Sequence, residues 1–306
     1  MSDMTPTSLY GGIEGGGTKF VCAVGSSPDD IRAEARFATA DPERTIQEVV
    51  AFFQEQSRLQ GTLAGIGLAC FGPLDLRAGS PNYGYITSTP KPGWAQVDIL
   101  GMLSRGLGMP VAFDTDVNGA VLGEWRWGAG QGVNSLIYLT VGTGIGGGAL
   151  VAGRPVHGLV HPEMGHQLIP HDRAVDPFPG ACLFHGDCLE GLATGPAMAK
   201  RWGKSAEELP ADHPAWALEA EYLASGLVNL ILAYSPERIV LGGGVMKASG
   251  LLALIRQKVQ QKLAGYVNST AILEEMAAYI VPAGLGDRAG VLGAMALAQL
   301  SIESYH

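Results

Sequence analysis

Each half of this chain opens with the same pattern: an apolar strand, a glycine-rich bend and a second apolar strand. In the first half these are YGGIEG, the bend through Gly15, Gly16 and Gly17, and FVCAVG. In the second they are SLIYLTV, GTGIGG and GALVAG. A strand pair cannot bury its apolar face by itself, so a pattern used twice implies two sheets, each covered by helices. The expected fold is α/β and two-lobed, with duplicated lobes.

The segments between the bends support that expectation. Asp41-Pro42 starts a helix, with Ile46, Val49, Val50 and Phe53 at helical spacing. AGIGLACFGP reads as a buried strand, 97–107 as a helix, and VAFDTD as a strand running into a helix over 118–127. In the second half an irregular loop at about 156–189 carries His, Pro and Cys. It is followed by a helix over 214–233, the strand RIVLGGGV, a helix over 251–263, the strand YIVPAGL and the closing helix AGVLGAMALAQL. We place the first lobe at 1–117, completed by the closing helix at about 287–306, and the second at 118–286, with a hinge near 116–119.

Charge narrows the partners. The net charge is −9 and Lys and Arg are scattered, so there is no footprint for nucleic acid or an anionic membrane. The expected partner is a small molecule. The opening MSDMTPTSLYGG has neither a basic flank nor an apolar core, so no secretory signal is expected and the chain is read as cytoplasmic. The uncharged stretch 135–153 is nearly long enough to span a bilayer, but its central glycines and threonines favour two buried strands. Cys22 and Cys70 lie in apolar runs and read as small core residues.

Gly is abundant, at 44 residues, and much of it is clustered. Gly11, Gly12, Gly15, Gly16 and Gly17, followed by Thr18 and Lys19, form one cluster. Adjacent glycines allow positive φ and present successive N–H groups, which is how a backbone holds phosphate. An ordinary hairpin turn needs fewer glycines. The run from Thr140 to Gly148 repeats this logic, and Gly242, Gly243 and Gly244 follow the apolar strand RIVL. Together the three clusters suggest a nucleotide gripped by both lobes.

Two further groups carry chemistry. Asp114 and Asp116 are two apart at the end of a strand, so alternation would put them on one face, where one must approach neutrality or meet a cation. The commonplace role for Asp116 is capping the next helix. Cys182, His185 and Cys188, spaced i, i+3, i+6, can present three ligands to one metal, and their softness favours Zn²⁺. The fourth ligand is open among His161, His166 and His171. The competing reading, a reduced Cys pair beside an incidental surface His, requires three ligands to coincide within seven residues.

In this order the motifs IEGGGTKF, FDTDVNGAVLGEW, TVGTGIGGG, HPEMGH with CLFHGDCLEG, and LGGGV resemble the ROK family (repressor, open reading frame, kinase) over essentially the whole chain. Within it the chain looks most like bacterial zinc-containing fructokinases. The resemblance implies the actin, Hsp70 and hexokinase-like (ribonuclease H-like) ATPase fold and transfer of a phosphoryl group from Mg-ATP to the 6-hydroxyl of a hexose, fructose foremost. It implies Asp116 as general base and Glu14 as a Mg²⁺ contact through water. Gly16, Gly17, Thr18, Lys19, Thr140, Gly142, Thr143, Gly144, Gly242, Gly243 and Gly244 become nucleotide contacts, and Gly72, Asn82, Thr115, Glu163, His166 and Glu190 sugar contacts. It selects His166 to complete a structural zinc site with Cys182, His185 and Cys188, although many relatives carry three cysteines there. Thr115 stands where glucose-specific relatives often carry Asn, which favours fructose. A homodimer is expected.

Glucose, mannose or an N-acetylhexosamine are the alternative substrates. A sugar-responsive repressor of the same family would carry a helix-turn-helix ahead of the first phosphate motif, where only about a dozen residues stand here. A chaperone-like ATPase would have no use for the Cys/His loop.

Overall fold

The computed structural model describes residues 8–303. The chain divides into two compact units, one of 1–131, 155–162 and 285–306, the other of 132–154 and 163–284.

In the first unit β1 (Tyr10–Gly15) pairs antiparallel with β2 (Lys19–Ser27), Ile13 opposite Cys22, and β2 pairs antiparallel with β3 (Asp30–Ala38). Helix α1 (Pro42–Gln60) starts at Asp41, whose carboxylate accepts the Arg44 N–H at 3.0 Å, and it buries Ile46, Val49 and Phe53. β4 (Gly65–Cys70) lies parallel to β1. After α2 (Ile99–Leu107), β5 (Val111–Thr115) adds parallel to β4. The strand order is β3-β2-β1-β4-β5. α3 (Asp116–Trp127) leaves β5 without a loop.

The second unit repeats this plan. β6 (Leu136–Val141) pairs antiparallel with β7 (Ile145–Val151), beside which β8 (Arg154–Pro155) forms the edge. The short helices α4 (Leu189–Ala193) and α5 (Gly195–Trp202) precede the long α6 (Ala215–Tyr234). β9 (Arg238–Gly242) lies parallel to β6. α7 (Leu251–Leu263), α8 (Thr270–Leu273) and α9 (Met276–Tyr279) lead to β10 (Ile280–Pro282), parallel to β9. The order β10-β9-β6-β7-β8 is the first unit's order read from the other edge, so the duplication inferred from the two bends extends to whole sheets. The stretch 135–153 is the β6–β7 pair, and no helix among the described residues is long and apolar enough to cross a membrane.

α10 (Ala289–Glu303) belongs to the first unit, where it packs on α3 and across β1 and β4. It is apolar almost all round because it is buried on most of its surface. Its backbone comes so close that a Cβ on Gly12 would stand 3.0 Å from the Met295 nitrogen, and one on Gly123 would stand 2.9 Å from the Gly293 nitrogen. Gly12, which the sequence reading placed in the first glycine cluster, therefore permits helix packing. None of Gly15, Gly16 and Gly17 adopts a positive φ. Because α3 is held by α10, residues 118–131 and the expected hinge at 116–119 fall inside the first unit.

Candidate functional site

In the first unit the end of β5 sets out the chemistry. Thr115, only 2% exposed, is the N-cap of α3, its hydroxyl accepting the Asn118 N–H at 3.1 Å. The cap that the commonplace reading gave to Asp116 thus belongs to Thr115. Asp116 is the first residue of α3, so strand alternation does not extend to it. It is partly exposed, and its Oδ1 accepts the Val117 N–H at 2.9 Å.

Asp114 is buried, and its Oδ1 accepts from the Thr115 N–H at 2.7 Å and from Asn118 Nδ2 at 2.9 Å. Its Oδ2 takes a 2.8 Å hydrogen bond from His157 Nε2. That bond raises the His157 pKa, partly against burial. The partner that Asp114 finds is therefore a histidine 43 residues away in sequence, and nothing in the local pattern advertised it. Tyr83 lies near the same carboxylate, its pKa raised by burial and then by the Asp114 charge.

Glu14 turns its carboxylate onto the N-terminus of α10, where it accepts the Val291 N–H. Burial raises its pKa, with Lys19 pulling the other way. Thr18 and Lys19 are exposed at the first bend, and the Gly16 N–H donates to the Lys19 carbonyl at 3.0 Å. Asn82 is exposed in a turn. Gly72 faces His161, whose Nε2 accepts the Leu74 N–H at 3.1 Å, so this candidate metal ligand has another use.

In the second unit Gly142, Thr143 and Gly244 line a cavity of about 720 Å³, with Trp216, Val245 and Lys247 on its walls. Gly242 and Gly243 stand behind it, packed against Tyr138 and the Val141 backbone respectively. Gly243, at φ +93°, needs the left-handed region and has no room for a side chain. Gly144 faces Glu190: a Cβ there would meet Glu190 Oε2 at 2.9 Å. That oxygen accepts the Ile145 N–H at 3.0 Å, so the second bend is tied to α4.

The other end of Glu190 approaches the Cys/His cluster, its Oε1 lying 3.8 Å from His166 Nε2. His166, Cys182, His185 and Cys188 bring one ligand atom each within 4.8 Å of one another. Cys182 Sγ is 3.6 Å from His166 Nδ1 and 3.7 Å from His185 Nδ1, and Cys188 Sγ is 3.7 Å from His166 Nδ1. Ligands about 2.0–2.3 Å from a tetrahedral ion stand roughly 3.3–3.8 Å apart. The cluster therefore has the dimensions and donor chemistry of a zinc site, and Glu190 takes the position of the carboxylate that orients a ligand histidine. Glu163 is exposed one turn before His166.

His171, the third candidate ligand, is engaged elsewhere. It bridges Asp187 Oδ2 at 3.0 Å and the Asp176 carbonyl at 2.9 Å. Asp176 also accepts the Tyr222 hydroxyl at 2.6 Å and pairs with Arg201 Nε at 3.1 Å. Arg201 donates to the Leu192 carbonyl of α4 at 2.9 Å and stacks on Phe178. The irregular loop thus has a second anchor besides the Cys/His cluster.

Comparison with known proteins followed from this geometry. The sequence matches the model of the ROK family over residues 10–301. A fructokinase of Zymomonas mobilis is 47% identical over 296 residues, covering 95% of this chain and 96% of its own. A fructokinase of Streptococcus mutans is 41% identical, covering 96% and 98%. Among solved structures, the ROK hexokinase from Thermus thermophilus superposes with a TM-score of 0.79 at 29% identity, over 97% of this chain and 99% of that one.

Proposed function

The chain belongs to the ROK family, and on that premise we propose that it is an ATP-dependent sugar kinase that phosphorylates D-fructose at its 6-hydroxyl. The observation that carries this reading is near full-length identity of 39–47% to curated fructokinases. The two units, each bearing a glycine bend at the end of its central strand, fit a phosphotransferase.

In the proposed reaction the fructose 6-hydroxyl oxygen attacks the γ-phosphorus of Mg-ATP and the bond to the bridging oxygen breaks. ADP leaves, and the hydroxyl proton passes to Asp116. Phosphoryl transfer asks little covalent help of a protein beyond positioning, charge neutralisation and one aimed base. Asp116 suits that task because the backbone of α3 fixes its carboxylate while leaving it partly exposed. Glu14 is assigned a water-bridged contact to the Mg²⁺ that accompanies ATP, an ion that keeps most of its hydration shell. The phosphates are assigned to Gly16, Gly17, Thr18, Lys19, Thr140, Gly142 and Thr143, and the adenosine to the cavity beyond Gly244. Glu163, Glu190, Gly72 and Asn82 are assigned to the sugar, since a carboxylate accepts from two hydroxyls at once.

His166, Cys182, His185 and Cys188 would hold zinc. With four protein ligands its contribution is structural, folding the loop that carries Glu163 and Glu190. Initial rates with saturating ATP and a panel of fructose, glucose, mannose and N-acetylmannosamine test the substrate. The expected result is the highest kcat/KM for fructose. A higher value for any other hexose replaces fructose with that sugar.

A further inference from the structure

We propose that His157 is a further sugar-binding residue, held by Asp114 so that its Nδ1 hydrogen-bonds a hydroxyl of the substrate. The inference rests on the sugar-kinase reading and deepens it. It comes from geometry within the first unit alone.

The imidazole is fixed from behind. Asp114 Oδ1 is filled by the Thr115 N–H and Asn118 Nδ2, which leaves Oδ2 for His157 Nε2 at 2.8 Å. Asn118 Nδ2 lies 3.4 Å from the same ring nitrogen and restricts the ring further. A carboxylate whose side chain is 4% exposed therefore sets both the tautomer and the plane of a histidine whose side chain is 44% exposed. The contacts of His157 all run through Nε2, which leaves Nδ1 facing outward without a partner among the described residues. Asp114 also raises the pKa of the ring, against the effect of burial.

The His157 side chain borders a pocket. His157 lines a cavity of about 260 Å³ together with Thr87 and Arg77. That is close to the lower end of small-ligand pockets, which begins at roughly 300 Å³, and suits a monosaccharide better than a nucleotide. The residues assigned to the sugar in this unit lie on the segments that meet here. Gly72 precedes the cavity wall at Pro73, and the base Asp116 follows Asp114 by two residues. A buried acid spent on orienting an outward-facing imidazole has an evident purpose if that imidazole recognises an oxygen-rich ligand. A latch holding residues 155–162 in place would need only the buried half of the contact, and His161 already supplies one through Leu74.

The test separates a sugar contact from a latch. In His157→Gln the amide can replace Nε2 on Asp114 while nothing replaces Nδ1. Losing that hydrogen bond and leaving the sugar hydroxyl unpaired should raise the fructose KM about 10- to 100-fold. The ATP KM should stay within about twofold and the melting temperature within about 2 °C. A panel of monodeoxyfructoses is then run on parent and variant. For the analogue lacking the partner oxygen the two proteins should have equal KM, because a pair already broken on one side loses nothing more on the other. Asp114→Asn, which keeps the contacts of Oδ1, should show the same analogue dependence with a smaller penalty, and it serves if the first variant melts early. A fructose KM unchanged in His157→Gln, or a penalty equal across all analogues, overturns the proposal and leaves His157 a latch. A parent that phosphorylates no hexose fails before any variant is made and sinks the kinase reading together with this one.

Discussion

Gly144→Val would separate two roles for the second bend. A Cβ at Gly144 would stand 2.9 Å from Glu190 Oε2, about half an ångström inside an ordinary contact. The carboxylate can yield by swinging, but that swing stretches its 3.0 Å bond to the Ile145 N–H and alters its approach to His166. The two methyls of valine leave less room than the single one of alanine. A hydrogen bond to a charged group contributes about 1.5–3 kcal/mol, so a displaced Glu190 should weaken fructose binding roughly 10- to 150-fold. Gly144 does not line the 720 Å³ cavity, so the ATP KM should change far less. Steady-state kinetics with each substrate varied in turn give the split, and the urea midpoint checks that the Ile145 N–H has not been left unsatisfied at the cost of folding. Gly144→Ala should fall between parent and valine. A valine variant with its fructose KM within twofold of the parent and a raised ATP KM would refute the reasoning and return Gly144 to the phosphates.

Elemental analysis of the purified protein should find about one Zn²⁺ per chain, and Cys188→Ser should lose it and weaken fructose binding more than ATP binding. A metal-free parent would contradict the site; a metal-free variant with parental fructose affinity would contradict only the coupling. Glu219 is buried with both carboxylate oxygens lacking a hydrogen-bond partner, and burial raises its pKa well above the usual carboxylate range. An acid with a raised folded pKa holds its proton longer in the folded state, so its contribution to stability is full below about 4.5 and declines as pH rises. Glu219→Gln should therefore gain stability relative to the parent between about pH 5 and 8, with the gap closing in acid. A variant less stable than the parent at pH 8 would show that Arg201 compensates the charge.

The strands and long helices were legible because burial imposes a period. The helix at 251–263 was read with its exact ends, and the uniformly apolar run AGVLGAMALAQL became the buried α10. The Cys/His cluster was legible through spacing, and its fourth member, His166, came from resemblance; elimination could not have chosen it over His161 or His171, each of which has a polar partner far from it in sequence. Three things were not legible. The short α4 is held by a tertiary tie, Glu190 to the Ile145 N–H, and α5 by Arg201 to the Leu192 carbonyl, which leave no periodic signal. The purpose of Gly12 and Gly123 depends on α10, which lies more than 160 residues further along the chain. The Asp114–His157 pair also joins distant segments, so the sequence could show that a cation was needed without showing which one.

If this chain moves a phosphoryl group to fructose with Asp116 as the base, the kcat of Asp116→Asn must report it. The substitution keeps the shape of the side chain and the start of α3 while removing the proton acceptor. General-base catalysis contributes about 100- to 10,000-fold, so kcat should fall at least about 100-fold with both KM values within a few-fold of the parent. A variant that retains most of its kcat would contradict the claim and place the base elsewhere.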